Sequence, residues 1–176
     1  MRKALLLLIT LAIFITFAET TVAASFGVGA HFAWYKPKDV EESSVFFGLQ
    51  SRFRLGSLLA LEGSIDYYYE EMEEDYDFIM YPVQVSLMVT LIDIRILRGY
   101  VMGGLGWFYW ELDGPLQGEE GHEPSYHAGA GVELQLSKHF AFHGDIRYVY
   151  FSPDIDIGDW ENWSGAWSTI GCTIYF

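Results

Sequence analysis

Ionisable residues recur in this chain at spacings that bear on chemistry. Arg52, Glu62 and Asp66 lie in one half, and Glu133, His143, Asp145 and Arg147 in the other. If the fold turns all seven inward, their charges must pair or be held at a high cost, so a network of ion pairs is expected. Ser125 and His127 are two apart, as are His143 and Asp145, which puts each pair on one face of a strand. A Ser–His couple suits acyl transfer only where an acid orients the imidazole. No acid is placed for His127 and no serine for His143, so no catalytic residue is assigned. A third group is acidic: Glu73, Glu74 and Asp75, and further on Asp154, Asp156 and Asp159. Clustered carboxylates attract hard cations, so these six are candidate contacts for loosely bound Ca²⁺ or Mg²⁺ or for a surface partner. The run Asp154-Ile155-Asp156-Ile157-Gly158-Asp159 lacks the spacing and the distal Glu of an EF-hand, and no dedicated metal site and no organic cofactor is assigned.

The elements that position these groups begin after residue 24. Arg2 and Lys3, the apolar run Ala4 to Ala18 and the small-residue exit Val22-Ala23-Ala24 read as a signal peptide over 1–24, with the domain over 25–176. The apolar run is broken by Thr10 and Thr16 and falls short of the ~20 residues of a spanning helix. What remains carries 8 Lys and Arg against 23 Asp and Glu, a net charge of −15, which argues against nucleic acid as a partner. The single Cys172 rules out an intrachain disulfide framework.

From there the chain alternates with a period of two and shows no sustained helical pattern. Strands are expected at about 26–35, 45–54, 58–69, 82–91, 99–110, 125–136, 140–151 and 167–176, with Pro82 at the start of the fourth because it cannot donate to a ladder. Leu55-Gly56-Ser57, 92–97 and Ser137-Lys138-His139 are the short turns, and 111–124 is the longest break. In the sixth and seventh strands a three-residue turn sets Glu133 opposite His143 and Asp145 opposite Gly131, with Arg147 within reach of Glu133 or a neighbour.

One face of almost every strand is bulky and apolar: Phe26, Val28, Phe32 and Trp34 in the first, Val83, Val85, Leu87 and Val89 in the fourth. The other mixes Gly and Ala with Gln, Arg, Glu, Asp, His and Thr. A soluble sandwich would bury the apolar faces against each other. Strands of about ten residues with a polar, small-residue inside suit instead an all-β, eight-stranded antiparallel up-and-down transmembrane β-barrel. An even count lets the last strand close onto the first and leaves no edge. Two aromatic belts are expected at the lipid–water interfaces. Trp34, Tyr67, Tyr69, Tyr81, Trp107, Tyr109, Tyr126, Tyr148, Tyr150 and Trp167 would form the loop-end belt, and Phe53, Phe140, Phe142, Tyr175 and Phe176 the turn-end belt. Of the 24 acids, 18 fall in the long breaks, which makes that rim acidic.

Three stretches carry a family likeness: Tyr100-Val101-Met102-Gly103-Gly104-Leu105-Gly106, Tyr126-His127-Ala128-Gly129-Ala130-Gly131-Val132-Glu133 and Asp145-Ile146-Arg147-Tyr148. With them the chain resembles the outer-membrane β-barrel domain family, the small eight-stranded OmpA/OmpX-type barrels of Gram-negative bacteria. The end Thr173-Ile174-Tyr175-Phe176 resembles the signal read by the barrel-assembly machinery, with Ile174 and Phe176 as its marks. The resemblance implies a monomer in the outer membrane, in contact with lipid and lipopolysaccharide, and because the sequence stops at the eighth strand no peptidoglycan-binding domain is expected after the barrel. The narrow bore of eight strands and the absence of a catalytic arrangement lead us to expect a non-enzymatic protein with a filled polar lumen and a structural or surface-interaction role toward an unidentified extracellular partner. The alternative is a narrow, porin-like channel gated by lumen salt bridges. A lipid A-modifying enzyme comes third, since barrels resembling the lipid A deacylase carry His and Ser two apart but facing lipid, and in the reverse order to Ser125 and His127.

Overall fold

The computed structural model describes residues 24–38, 43–72, 76–94, 96–113, 119–150 and 164–176. Eight strands follow one another: β1 (Ala24–Pro37), β2 (Ser44–Leu55), β3 (Leu59–Met72), β4 (Tyr76–Ile94), β5 (Leu97–Asp113), β6 (Glu119–Gln135), β7 (Phe140–Tyr150) and β8 (Gly165–Tyr175). Each pairs antiparallel with its neighbour, and β8 returns to β1 to close a barrel. The seam runs from Gly27↔Tyr175 to Pro37↔Gly165. The Phe176 amide donates to the Phe26 carbonyl at 2.8 Å, so pairing continues to the last residue.

Period-two sequence decides which way each side chain points. Phe32 (53% exposed), Leu49 (55%), Leu105 (59%) and Ile146 (66%) all face outward, while Arg52 (1%) and Glu62 (2%) face in. A wall with greasy residues outside and ionised ones inside is stable only with hydrocarbon around it. No helix among the described residues is long and apolar enough to cross a membrane; the crossing is made by strands. Several strands exceed the ~9–11 residues needed to cross. β4 has 19 residues, and β5 and β6 have 17 each, so these three stand beyond the apolar zone on the loop side.

Three expectations about the elements are corrected. Pro82 does not begin β4 but lies inside it, paired with Phe108 on the β5 side. On the β3 side the ladder stops at Ile65↔Val83 and resumes at Tyr68↔Met80, a gap where the proline has no N–H to give. The stretch 111–124 is not one long break, because β5 continues to Asp113 and β6 starts at Glu119. The turn placed at 92–97 shrinks as well: β4 runs to Ile94 and β5 begins at Leu97, with the register shifted between Thr90 and Ile92. Gly56, at φ 84°, makes the β2–β3 turn in the left-handed region that glycine adopts without strain.

Candidate functional site in the barrel interior

Each inward position lies across a neighbouring strand from another, and small residues leave room for large ones. A Cβ on Gly131 would stand 2.6 Å from both Asp145 and the Tyr100 hydroxyl, and one on Gly129 2.6 Å from the Arg147 Cβ. Glycine at these two positions of β6 is what lets β7 and β5 lay ionisable side chains across the lumen.

Those side chains form one alternating chain of charge. Arg54 reaches Glu133, and Glu133 accepts from Arg52 Nη1 at 3.1 Å. Arg52 Nε donates to Glu62 Oε2 at 2.7 Å, while Glu62 Oε1 accepts from Arg147 Nη2 at 3.2 Å. Arg147 Nε closes the series on Asp145 Oδ1 at 2.9 Å. Three cations and three anions alternate, so the cluster is neutral without borrowing charge from outside. Neutral groups take up remaining positions: Tyr175 donates to Glu133 at 2.6 Å, and Gln84 accepts from Arg147 at 3.0 Å. The hairpin register sets Glu133 opposite His143 and Asp145 opposite Gly131. Arg147 bridges to Glu62 and not to Glu133, which Arg52 and Arg54 occupy instead.

Asp66 and His143 stand apart from that chain. Asp66 accepts from His31 Nε2 at 2.7 Å, and Gly48 between them is required: a Cβ there would lie 2.3 Å from both partners. Neither ring nitrogen of the buried His143 has a hydrogen-bond partner. His31 and Arg54 join these contacts in addition to the residues expected from the sequence. Their period-two parity, the same as that of Ala33 and of Arg52, is the signal that would have found them. His127 pairs not with Ser125 but with Ser86, Oγ to Nε2 at 2.8 Å, and its Nδ1 touches no acid.

The loop-side half of the lumen is not polar, and this corrects the picture of a polar interior. Tyr35, Phe46, Phe78, Phe108, Trp110 and Trp167 fill it together with Ala33, Met80 and Val149. Ring centroids of Phe46 and Trp167 are 4.8 Å apart, and those of Tyr35 and Trp167 5.4 Å. Trp167 and Tyr175, expected in the lipid-facing belts, are buried inside at 1% and 2% exposure. Both share a face with Thr169 and Thr173, and strand parity outweighs the aromatic preference for an interface. The other belt residues face outward, as in the stacked pair Tyr126 and Tyr150, 5.0 Å apart.

Among the described residues no three His, Cys, Asp or Glu side chains converge as metal ligands. Glu73, Glu74, Asp75, Asp154, Asp156 and Asp159 lie outside the described residues, as does the 1–23 part of the expected signal peptide. Ile174 and Phe176 both face outward at the turn end of β8.

A closed, even-stranded antiparallel barrel with an apolar exterior and a side-chain-filled interior defines the outer-membrane class of transmembrane protein. The chain belongs to the outer membrane protein beta-barrel domain family, whose model matches residues 4–170. It resides in the bacterial outer membrane. Among solved structures it resembles the N-terminal β-barrel domain of Pseudomonas aeruginosa OprF, at 14% identity and TM-score 0.67 over 86% of this chain and 97% of that one. Neisserial surface protein A is similar at 13% identity and TM-score 0.69, covering 87% and 97%. Ail, the attachment invasion locus protein of Yersinia pestis, is similar at 15% and 0.61, covering 87% and 97%. At such identities the likeness carries the fold alone. No curated protein matches the sequence.

Proposed function

We propose that this protein is a sealed, non-enzymatic outer-membrane barrel that acts through its outer surface and loops and carries no solute. The observation behind this reading is the filled lumen, where an aromatic cluster and a neutral ion-pair chain follow one another along the axis. Eight strands enclose a bore only just wide enough for side chains, and here large ones occupy both halves. Signal cleavage before Ser25, recognition of Ile174 and Phe176 during assembly, and a monomeric state belong to the same reading.

The loop-side strand ends and the segments between them carry most of the acids, so the surface they offer suits cations or cationic partners. Ail was crystallised with the heparin analogue sucrose octasulfate. A polyanion of that kind suits this chain poorly, because 18 of its 24 acids lie in the loop-side segments. Divalent cations bridging the acidic rim to lipopolysaccharide phosphates fit better. Planar-bilayer recording tests sealing: the native protein should show no discrete conductance steps, whereas steady ohmic steps would establish the channel reading. Calorimetry in detergent tests the cation, and millimolar Ca²⁺ giving no heat of binding would remove it.

A further inference from the structure

We propose that the short-turn mouth of the barrel, on the periplasmic side, is a binding site for one small oxyanion, a phosphate or a carboxylate. A cavity of about 20 Å³ opens there, with Arg52, Arg54 and Arg98 in its wall and Glu133 as the one carboxylate among its lining residues. Ser57 and Thr90 add hydroxyls at the rim. The enclosed volume admits one anionic oxygen, with the rest of the phosphate or carboxylate left in the open mouth.

Three guanidiniums converge on this space, and they are not equally satisfied. Arg54 is engaged by Glu133 and Gln135 and lies over the Tyr175 ring at 3.6 Å. Arg98 makes its ion pair with Asp93 at 3.3 Å, at the solvent side of the mouth. Arg52 is 1% exposed, yet its Nη2 has no hydrogen-bond partner, although its Nε and Nη1 each have one. A buried charged donor left unmatched is costly, and an anionic oxygen is the acceptor a guanidinium fork binds best. Within the lining one carboxylate faces three cations, and Glu62 and Asp93 outside it complete the ion pairs, so an entering anion would supply the acceptor that Arg52 Nη2 lacks and not a missing charge. The whole chain has 24 acids to 10 bases, so three arginines gathered at one mouth are a local feature and not a reflection of composition.

Phosphate could arrive as a free ion or as the headgroup of a phospholipid in the inner leaflet around the mouth. The protein purified from outer membranes in a neutral detergent is titrated calorimetrically with inorganic phosphate and, separately, with acetate. Saturable binding of at least one is expected. Losing one charge-assisted contact, Arg98→Gln and Arg54→Gln should each weaken it by about tenfold or more. Lys138→Gln, outside the cavity, should leave it unchanged. Heat-modifiable gel mobility confirms that each variant is folded. Arg98 is part-exposed at the rim, so its variant keeps the test decisive if Arg54→Gln fails to fold. Absence of saturable binding by the native protein, native-like binding by Arg98→Gln, or equal loss in Lys138→Gln would each overturn the site. Repeating the titration in nanodiscs with and without phosphatidylglycerol separates the sources. Competition by that lipid identifies a headgroup, and undiminished binding identifies a soluble oxyanion.

Discussion

Glu62 is the residue on which the interior depends most. Its two carboxylate oxygens serve different cations, Arg52 and Arg147, and it is 2% exposed. Glu62→Gln keeps the shape and removes the charge, leaving two buried arginines short of one anion. Breaking a buried pair costs about 3–5 kcal/mol because the surviving charge cannot be resolvated, and here both partners are affected. Asp145 ends the chain of charge and serves Arg147 and the Tyr100 hydroxyl, the latter at a long 3.4 Å. Asp145→Asn should therefore destabilise less than Glu62→Gln, an order that urea unfolding in lipid vesicles measures directly. Equal effects would mean that the charge is not shared as the distances indicate. Gly48 gives a second measurement of the same kind. Gly48→Ala forces a Cβ into the His31–Asp66 contact, and a loss of about 1–3 kcal/mol is expected from a buried polar pair driven apart.

At the scale of strands, alternation made the wall legible and little more. Parity assigned inside and outside for Val28 and Phe32, for Gln84 and Ser86, and for the 133↔143 register, because the lipid requires one face to be apolar. Where both faces are apolar, parity still set Trp34, Tyr67 and Tyr69 outward, but residue type no longer told the faces apart. At Trp34-Tyr35 and Tyr67-Tyr68-Tyr69 neighbouring residues are all aromatic, so nothing in their types marks Tyr35 and Tyr68 as the inward ones. The loop-side cluster was hidden for that reason. The ends of β5 and β6 were hidden for another, since Glu111↔Glu120 between them and Asp77↔Asp113 on the β4 side set acid against acid in a segment that composition reads as loop. Partners in the charge chain come from strands far apart in sequence, Arg147 and Glu62 being 85 residues apart, which no local spacing encodes. Pro82 shows the reverse case, a local rule overridden by the barrel. Its missing donor faces β3, where the ladder is open between Ile65↔Val83 and Tyr68↔Met80. Pro82→Ala restores an N–H, so amide exchange near Asp66 and Tyr67 should slow. Unchanged exchange there would show that twist, not the proline, opens the ladder.

For the whole molecule, the proposed sealing rests on two barriers in series. The aromatic cluster around Trp167 fills the loop-side half and the ion-pair chain around Glu62 the turn-side half, on one axis within one closed wall. An ion crossing the bore meets an apolar layer that will not hydrate it and then a layer whose polar groups are already committed to one another. Resistances in series add, so opening either layer alone leaves the other in control. Phe46→Ala with Trp167→Ala removes two of the largest fully buried side chains and should still give a non-conducting barrel, as should Arg147→Ala with Glu62→Ala. Combining all four substitutions should produce discrete ohmic steps in planar bilayers, provided gel mobility shows the barrel intact. Because β1 and β8 close the wall through a backbone ladder and not through the interior, the emptied barrel has a means of staying shut along its seam while open along its axis. Conductance after the aromatic pair alone is replaced would place the whole seal at the loop side and reduce the ion pairs to a role in stability.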